Sequence, residues 1–339
     1  MTTLLLSDRD VHDLLPMREC IDVMAGALRA VTMGDAVLPL RTVLRLGDTT
    51  NAFASMPAIL GAGESASIGA KVITVFPGND ATPFDAHIGV VLLFDAQNGT
   101  LLAIADASSI TAIRTSAVSG LATRLLANDD AATLAILGAG VLAMPHLEAV
   151  CAVRPITRVR VWSRSGAAAG SRAAVFAAAA RAKFGIDVSA CDTVQEAVGD
   201  ADVVCTITSS RTPVLEGAWL KSGAHVNAVG ASIRTARELD TAAVVNARVF
   251  GDRRESVLAE AGDVMIPLAA GAITEAHLLG ELGDVLTGAL QGRTATSDVT
   301  LFKSLGLAVE DVAALRHIHT KAIALGRGVT VDLGGRRAE

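Results

Sequence analysis

Three cations stand where an exposed turn does not explain them. Arg41 follows Pro39-Leu40, Lys71 lies inside the apolar run SIGAKVITVF (67–76), and Arg114 sits in a run of small and apolar residues, SSITAIRTSAVSGLA. A lone cation in such a setting must snorkel, pair with a carboxylate, or point into a site. For any one of them, snorkelling or a local salt bridge explains the residue as well as a function does. Three together point to a pocket for a carboxylate, the group that a guanidinium clamps through paired hydrogen bonds. His87, in TPFDAHIGVV, could protonate a nitrogen or a carbanion near neutral pH, although a surface histidine is the plainer explanation. His146 reads as structural, and Asp252-Arg253-Arg254-Glu255 as a charged turn with local pairing.

A second group of residues suits a dinucleotide. The apolar run from Thr133 leads into Gly138-Ala139-Gly140-Val141-Leu142-Ala143, which opens a helix, and a second β-rich run ends at Ser163-Arg164-Ser165. A lone glycine pattern is weak, and an Ala/Gly-rich turn without a ligand would look similar. Here the strand before, the helix after and the second strand beyond give it context. Gly138 permits the tight turn, Gly140 lets a pyrophosphate approach, and free amides at the helix start bind anionic oxygens. Leu142 is apolar where a polar residue is common, and Pro145 removes one donor early in the helix. A carboxylate at the end of the second strand would favour NAD(H) and repel a 2′-phosphate. Two hydroxyls and the Arg164 guanidinium there favour NADPH, with NADH also possible; a solvated surface arginine is the alternative. Thr206-Ile207-Thr208-Ser209 and Val229-Gly230-Ala231-Ser232 each follow a later strand, where loops line the ligand crevice of a parallel sheet.

The elements that must position these groups fall into two sets. An amphipathic helix over 18–34 presents Ile21, Met24, Leu28 and Val31 on one face. Strands follow over 41–46, 52–56, 67–76, 89–95 and 100–105, the last two joined by a turn at Gln97-Asn98-Gly99. That pattern predicts an antiparallel sheet. A helix over 108–126 leads into alternating strands (133–138, 158–163, 187–190, 202–207, 225–229, 248–251) and Ala-rich helices, notably 165–184. Such alternation predicts an α/β fold with a doubly wound parallel sheet of Rossmann type beside an α+β antiparallel-sheet domain. The tail from Leu307 to Arg327 reads as helix. The expected division is 1–116 with 314–339 as a substrate-binding and dimerisation domain, and 117–313 as the dinucleotide-binding domain.

Composition narrows the class. With 51% apolar and 19% charged residues, a large core is available, and a net charge of −6 without a basic cluster argues against nucleic acid. Cys20, Cys151, Cys191 and Cys205 are scattered and read as buried thiols of a reducing compartment, with no metal-ligand spacing. Leu4-Leu5-Leu6 is too short for a signal peptide core, and no run has the length of a membrane span. A cytoplasmic protein without membrane partners is expected. No GxSxG, Cys–His pairing or hydrolytic carboxylate pair is evident, so hydride chemistry fits what is present.

An ordered set of short motifs carries a family resemblance over nearly the whole chain. It comprises Pro39-Leu40-Arg41, Met56-Pro57, Lys71-Val72, Phe76-Pro77-Gly78-Asn79, Leu93-Phe94-Asp95, Asp106-Ala107-Ser108, Ile110-Thr111 and Arg114-Thr115. Beyond the glycine turn it continues with Val226-Asn227-Ala228-Val229-Gly230, Arg237-Glu238-Leu239-Asp240 and Phe302-Lys303-Ser304-Leu305-Gly306. This set resembles the ornithine cyclodeaminase / mu-crystallin family. The resemblance implies a homodimer, an N-terminal substrate domain to which the C-terminal helix returns, and a Rossmann domain for the nicotinamide cofactor. It implies that Arg41, Lys71 and Arg114 hold a substrate carboxylate. Arg114-Thr115 and the helix start after Gly138 match cofactor contacts, and Ser304 and Leu305 match residues near the nicotinamide.

Two departures decide between branches of that family. Cyclodeaminases resemble one another in an Asp that handles the substrate amine, where this chain has Ser232 after Gly230-Ala231. They also carry a Glu shortly before Met-Pro, where this chain has Ala54. Ser232, His87 and the Arg164 turn resemble the ketimine reductase branch. The implied reaction is NAD(P)H-dependent reduction of Δ1-pyrroline-2-carboxylate or Δ1-piperideine-2-carboxylate to proline or pipecolate. His87, Ser232 or water could assist protonation. The alternatives are an ornithine cyclodeaminase or alanine-dehydrogenase-like enzyme, and a non-catalytic NADPH-dependent ligand binder.

Overall fold

The computed structural model describes residues 2–335, apart from the side chains of residues 80 and 81. Residue 1 and residues 336–339, which the domain expectation included, lie outside the described residues. The chain forms two compact units, residues 1–115 with 306–339, and residues 116–305.

The first unit opens with β1 (Thr2–Leu6), α1 (Asp8–Leu14), α2 (Met17–Met33), β2 (Ala36–Val37) and β3 (Thr42–Arg45). It continues with β4 (Ala52–Leu60), β5 (Ser67–Val75), β6 (His87–Phe94) and β7 (Leu101–Asp106). Helix α3 (Ala107–Leu126) belongs to this unit up to Thr115. The second unit then has β8 (Thr133–Leu137), α4 (Ala143–Val153), β9 (Arg158–Trp162), α5 (Arg172–Phe184), β10 (Asp187–Cys191) and α6 (Val194–Val198). Next come β11 (Val203–Thr206), β12 (His225–Ala228), α7 (Thr241–Val245), β13 (Arg248–Gly251), α8 (Arg254–Glu260) and α9 (Gly262–Ala269). The unit ends with β14 (Leu278–Glu281), α10 (Leu282–Thr287) and β15 (Thr300–Lys303). Finally α11 (Ala308–Leu325) and β16 (Val329–Asp332) return to the first unit.

The first sheet has the order β16-β1-β7-β6-β5-β4-β2, with β3 paired to β4. Its pairings are antiparallel except that β1 runs parallel to β7. No hairpin links these two strands, so nothing forces them to oppose. The β6–β7 hairpin closes as its Asn-Gly signal predicts: Gly99 has φ 75°, and Asp95 Oδ1 accepts from the amides of Gln97 and Asn98. Alternation along β4 sends Ala52, Ala54, Met56 and Ala58 inward and leaves Phe53 and Ile59 exposed. Helix α11 packs against β4, β5 and β6, and a Cβ added to Gly69 of β5 would come within 2.8 Å of Val312. The chain therefore returns to the first unit at Gly306 rather than at 314, because the first turn of α11 is already packed there.

The second sheet, β10-β9-β8-β11-β12-β15-β13-β14, is parallel throughout. Ala135 and Leu137 join one apolar layer with residues of α6, α7 and α9, whereas Leu134 and Ile136 join the opposite layer with residues of α4 and α5. Helices on both faces explain why β8 is a continuous apolar run. Two expectations need correction. Helix α5 starts at Arg172 rather than 165, because Gly166 and Gly170 take φ of 68° and 82° and Ser171 caps the helix by accepting from Ala174 N. The sequence pattern also missed β14 and β15. The latter is four residues ending in a lysine, fully buried between β12 and β13.

Candidate active site

In the first unit the three cations converge. Alternation on β5 turns Lys71 to the inward face, where it is 2% exposed. Its Nζ lies 2.8 Å from Asp311 Oδ2 and 3.4 Å from Thr111 Oγ1. Arg114, on α3, donates from Nε to Asp311 Oδ1 (2.9 Å) and from Nη1 to Glu310 Oε2 (2.8 Å). Both carboxylates are fully buried in the first turn of α11, where a helix start favours negative charge. Arg41 is half-buried and donates from Nη2 to the Gly306 carbonyl (3.2 Å). Gly306 has φ 77°, and an added Cβ would overlap the Arg114 guanidinium. The glycine thus brings the backbone against one cation while its carbonyl holds another.

Burial, then the Arg114 charge, lowers the Lys71 pKa to about 8, against the opposing pull of Asp311. Burial alone would raise Asp311, but Arg114 and Lys71 outweigh it and hold the carboxyl below its usual range. Both partners are therefore charged at neutral pH. Glu310 and Asp311 were not singled out from the sequence. The available signal was a pair of adjacent carboxylates at the start of an otherwise apolar helix, LAVEDVAAL. Buried carboxylates need cationic partners, and the lone cations upstream needed carboxylates.

His87 begins β6 opposite Val75, on the face that carries Lys71, and is exposed to solvent. The protein atoms around it, then the charges of Lys71 and Arg114, lower its pKa despite Asp85. It is consequently neutral at pH 7. Ala54, opposite Ile73, is buried on the same face next to the Met56–Lys71 pair.

In the second unit β8 and β11 are neighbours, and the strand order reverses between them. Such a switch point opens a crevice at the carboxyl ends of the strands. Gly138 has φ 114°, and an added Cβ would lie 2.7 Å from Ile207 O, so the β8 and β11 loops touch through that glycine. Nothing lies within 4 Å of a Cβ added at Gly140. The amides of Gly140, Val141 and Leu142 have no acceptor among the described residues. Val141 is 76% exposed, and Ala143, the first residue of α4, is fully buried. Pro145 falls in the first turn of α4, where its missing donor costs no helical hydrogen bond. An open glycine, unpaired amides and a helix start fit a pyrophosphate.

At the end of β9, Ser163 Oγ and Ser165 Oγ are 3.0 Å apart. Arg164 is exposed and makes no ion pair among the described residues. Thr206 ends β11 and Ile207 and Thr208 follow it, Val229 and Gly230 follow β12, and Ser304 and Leu305 follow β15; these strands lie side by side. Ser232 is half-buried in the loop beyond Gly230. His146 is fully buried, with Nδ1 2.8 Å from Ser116 Oγ and Nε2 3.1 Å from Ser119 Oγ. Burial lowers its pKa to about 4, as suits a structural role. Cys20, Cys191 and Cys205 are buried and Cys151 partly so, and burial raises all four thiols. No group of three or more metal-ligating residues occurs among the described residues. No described helix is long and apolar enough to cross a membrane.

A dinucleotide crevice in one unit and a cationic cluster in the other make this chain an oxidoreductase that uses a nicotinamide cofactor. It belongs to the ornithine cyclodeaminase/mu-crystallin family, whose model matches residues 1–325. It is 34% identical over 330 residues to a Delta(1)-pyrroline-2-carboxylate reductase of Bacillus cereus, covering 97% of this chain and 99% of that protein. It is 39% identical over 286 residues to the ketimine reductase mu-crystallin of Mus musculus, covering 84% of this chain and 85% of that one. The Thermococcus litoralis Delta(1)-pyrroline-2-carboxylate reductase, solved with NADH and L-proline, superposes with a TM-score of 0.93 at 36% identity. That match covers 97% of this chain and 100% of the other.

Proposed function

We propose that the chain reduces small cyclic ketimine carboxylates with NAD(P)H, Δ1-pyrroline-2-carboxylate or Δ1-piperideine-2-carboxylate giving L-proline or L-pipecolate. The observation that carries this reading is the cluster in the first unit. It gathers three cations, Arg41, Lys71 and Arg114, around Glu310, Asp311 and the Gly306 carbonyl. Guanidinium and ammonium donors brought together in this way suit a substrate carboxylate. The two acids also hold Lys71 and Arg114 in place before substrate arrives, which lowers the cost of ordering them on binding.

When bound, the nicotinamide supplies hydride. The second unit's part is to hold it. The amides at 140–142 take the pyrophosphate, and the loops at 206–208, 229–230 and 304–305 line the nicotinamide side. The lowered pKa of His87 leaves little proton to give at pH 7. The imine is therefore taken in its protonated form, so that one hydride on the C=N carbon completes the amine. Ser232 and Ala54 supply no carboxylate to hold and deprotonate a second amino group, which speaks against ornithine as substrate.

Arg164, exposed and without an ion pair among the described residues, supports a preference for NADPH, whose 2′-phosphate its guanidinium and the Ser163 and Ser165 hydroxyls would hold. The outward face of the first sheet supports a homodimer. Phe53, Ile59 and Ile88 are exposed there at 44%, 38% and 44%, a patch that a second copy would cover. The test is steady-state oxidation of NADPH and NADH with both imines, beside an ornithine assay for ammonia. Turnover of an imine, faster with NADPH, is expected. Ammonia release from ornithine without imine turnover would overturn the reading.

A further inference from the structure

The second unit contains buried ionisable side chains that the proposed chemistry does not use. Glu238 is fully buried in the loop after β12, and its two carboxyl oxygens receive four donors. Oε2 accepts from Thr206 Oγ1 (2.8 Å) and Gly230 N (2.7 Å). Oε1 accepts from Thr208 N (2.6 Å) and Thr208 Oγ1 (2.7 Å). One side chain therefore ties the loop after β11 to the loop after β12. A Cβ at Gly230 would lie 2.6 Å from Glu238 Oε1 and overlap the Thr208 backbone, so that glycine is what lets the loops close on the carboxylate.

Glu238 is itself held from behind. Asp263 Oδ1 accepts from the amides of Glu238 (2.8 Å) and Leu239 (3.0 Å). Asp263 Oδ2 pairs with Lys303 Nζ at 2.9 Å, both side chains fully buried, and Lys303 is the last residue of β15. The loop after β15 has a carboxylate of its own, because Asp252 Oδ2 accepts from Leu305 N at 2.6 Å. Each of the three strand-end loops is thus fixed to a buried acid. An apolar core with surface loops would fold without this arrangement, and burying four charged groups is costly unless each is satisfied.

We infer that Glu238, backed by Asp263 and Lys303, is a positioning residue that fixes the shape of the nicotinamide side of the crevice. This rests on the reading that the 206–208 and 229–230 loops line the cofactor. Glu238 does not touch the cofactor. It sets where the backbone of Thr208 and Gly230 stands. Four converging donors require an acceptor-only group, which a carboxylate is and an amide is not.

The test is titration of NADPH and NADH, followed by nicotinamide fluorescence, into wild type, Glu238→Gln and Thr206→Val. Thr206 is fully buried, and its side chain reaches Glu238, so Thr206→Val removes one of the four donors to the carboxylate. Glu238→Gln is expected to weaken cofactor binding about tenfold and Thr206→Val about threefold, measured well below each melting temperature. The KM for imine is expected to change little. A lower melting temperature with unchanged cofactor affinity would make the cluster purely structural and overturn the inference. If Glu238→Gln does not fold, Thr206→Val decides by the same criterion. Wild type that binds neither nucleotide would remove the cofactor reading and this inference together.

Discussion

The two units present positive charge by different means. The first gathers whole charges: Lys71 and Arg114 are buried and paired with Glu310 and Asp311, and Arg41 stands beside them. The second offers partial charges, the unpaired amides at 140–142 around a glycine with open space. Full charges in a dry setting bind tightly, but each must be neutralised and held before the ligand arrives. Backbone amides need no counter-ion, and only glycine geometry limits how close the ligand comes. A change in the first unit should therefore act on substrate and turnover, and one in the second on cofactor.

The sharpest separation is expected from Lys71→Met. Removing a buried cation leaves Asp311 short of a partner and the substrate carboxylate short of a contact. A fall in kcat/KM of about 10³-fold is expected, with cofactor affinity nearly unchanged. Equal loss of cofactor binding would erase the distinction between the units.

A second effect comes from pH. The Lys71 ammonium is the charged form, and burial with the Arg114 charge lowers its pKa from the ordinary lysine value to about 8. The charge is present below that pH and lost above it. The kcat/KM profile for imine should be level toward neutral pH and fall about tenfold per unit above about 8. Cofactor affinity, resting on amides, should not follow it. An alkaline limb that persists in Lys71→Arg would assign the titration to another group.

The smallest effect is expected at Arg164. In Arg164→Ala the preference for NADPH over NADH should fall about fivefold to tenfold, read from the two kcat/KM values, with NADH turnover unaffected. An unchanged ratio would leave Arg164 as a solvated surface residue.

Much of this arrangement is legible in the chain. The Asn98-Gly99 turn, the apolar run of β8 and the glycines at 138 and 140 each carry a local physical requirement, and each appears as that requirement predicts. The lone cations also signalled a buried charge cluster, since Lys71 in an apolar strand needed a partner and has one in Asp311. Their carboxylate partners were not legible in the same way. Glu310 and Asp311 lie about two hundred residues from Arg114, and no local rule links the start of a late helix to an earlier one. Glu238 was visible only as part of a motif, because its role depends on four donors from two other loops. The start of α5 was misjudged because alanine-rich composition hid the left-handed Gly166 and Gly170. Strand β15 was missed because four residues ending in lysine show no period.

Transfer of deuterium from NADPH carrying deuterium at both C4 positions of the nicotinamide tests the central claim most directly. With Δ1-pyrroline-2-carboxylate as substrate, the product should be proline carrying one deuterium at C2, and Lys71→Met should form almost none. Proline without deuterium, or ammonia from ornithine in the absence of any imine reduction, would contradict hydride delivery to a carboxylate-anchored C=N bond.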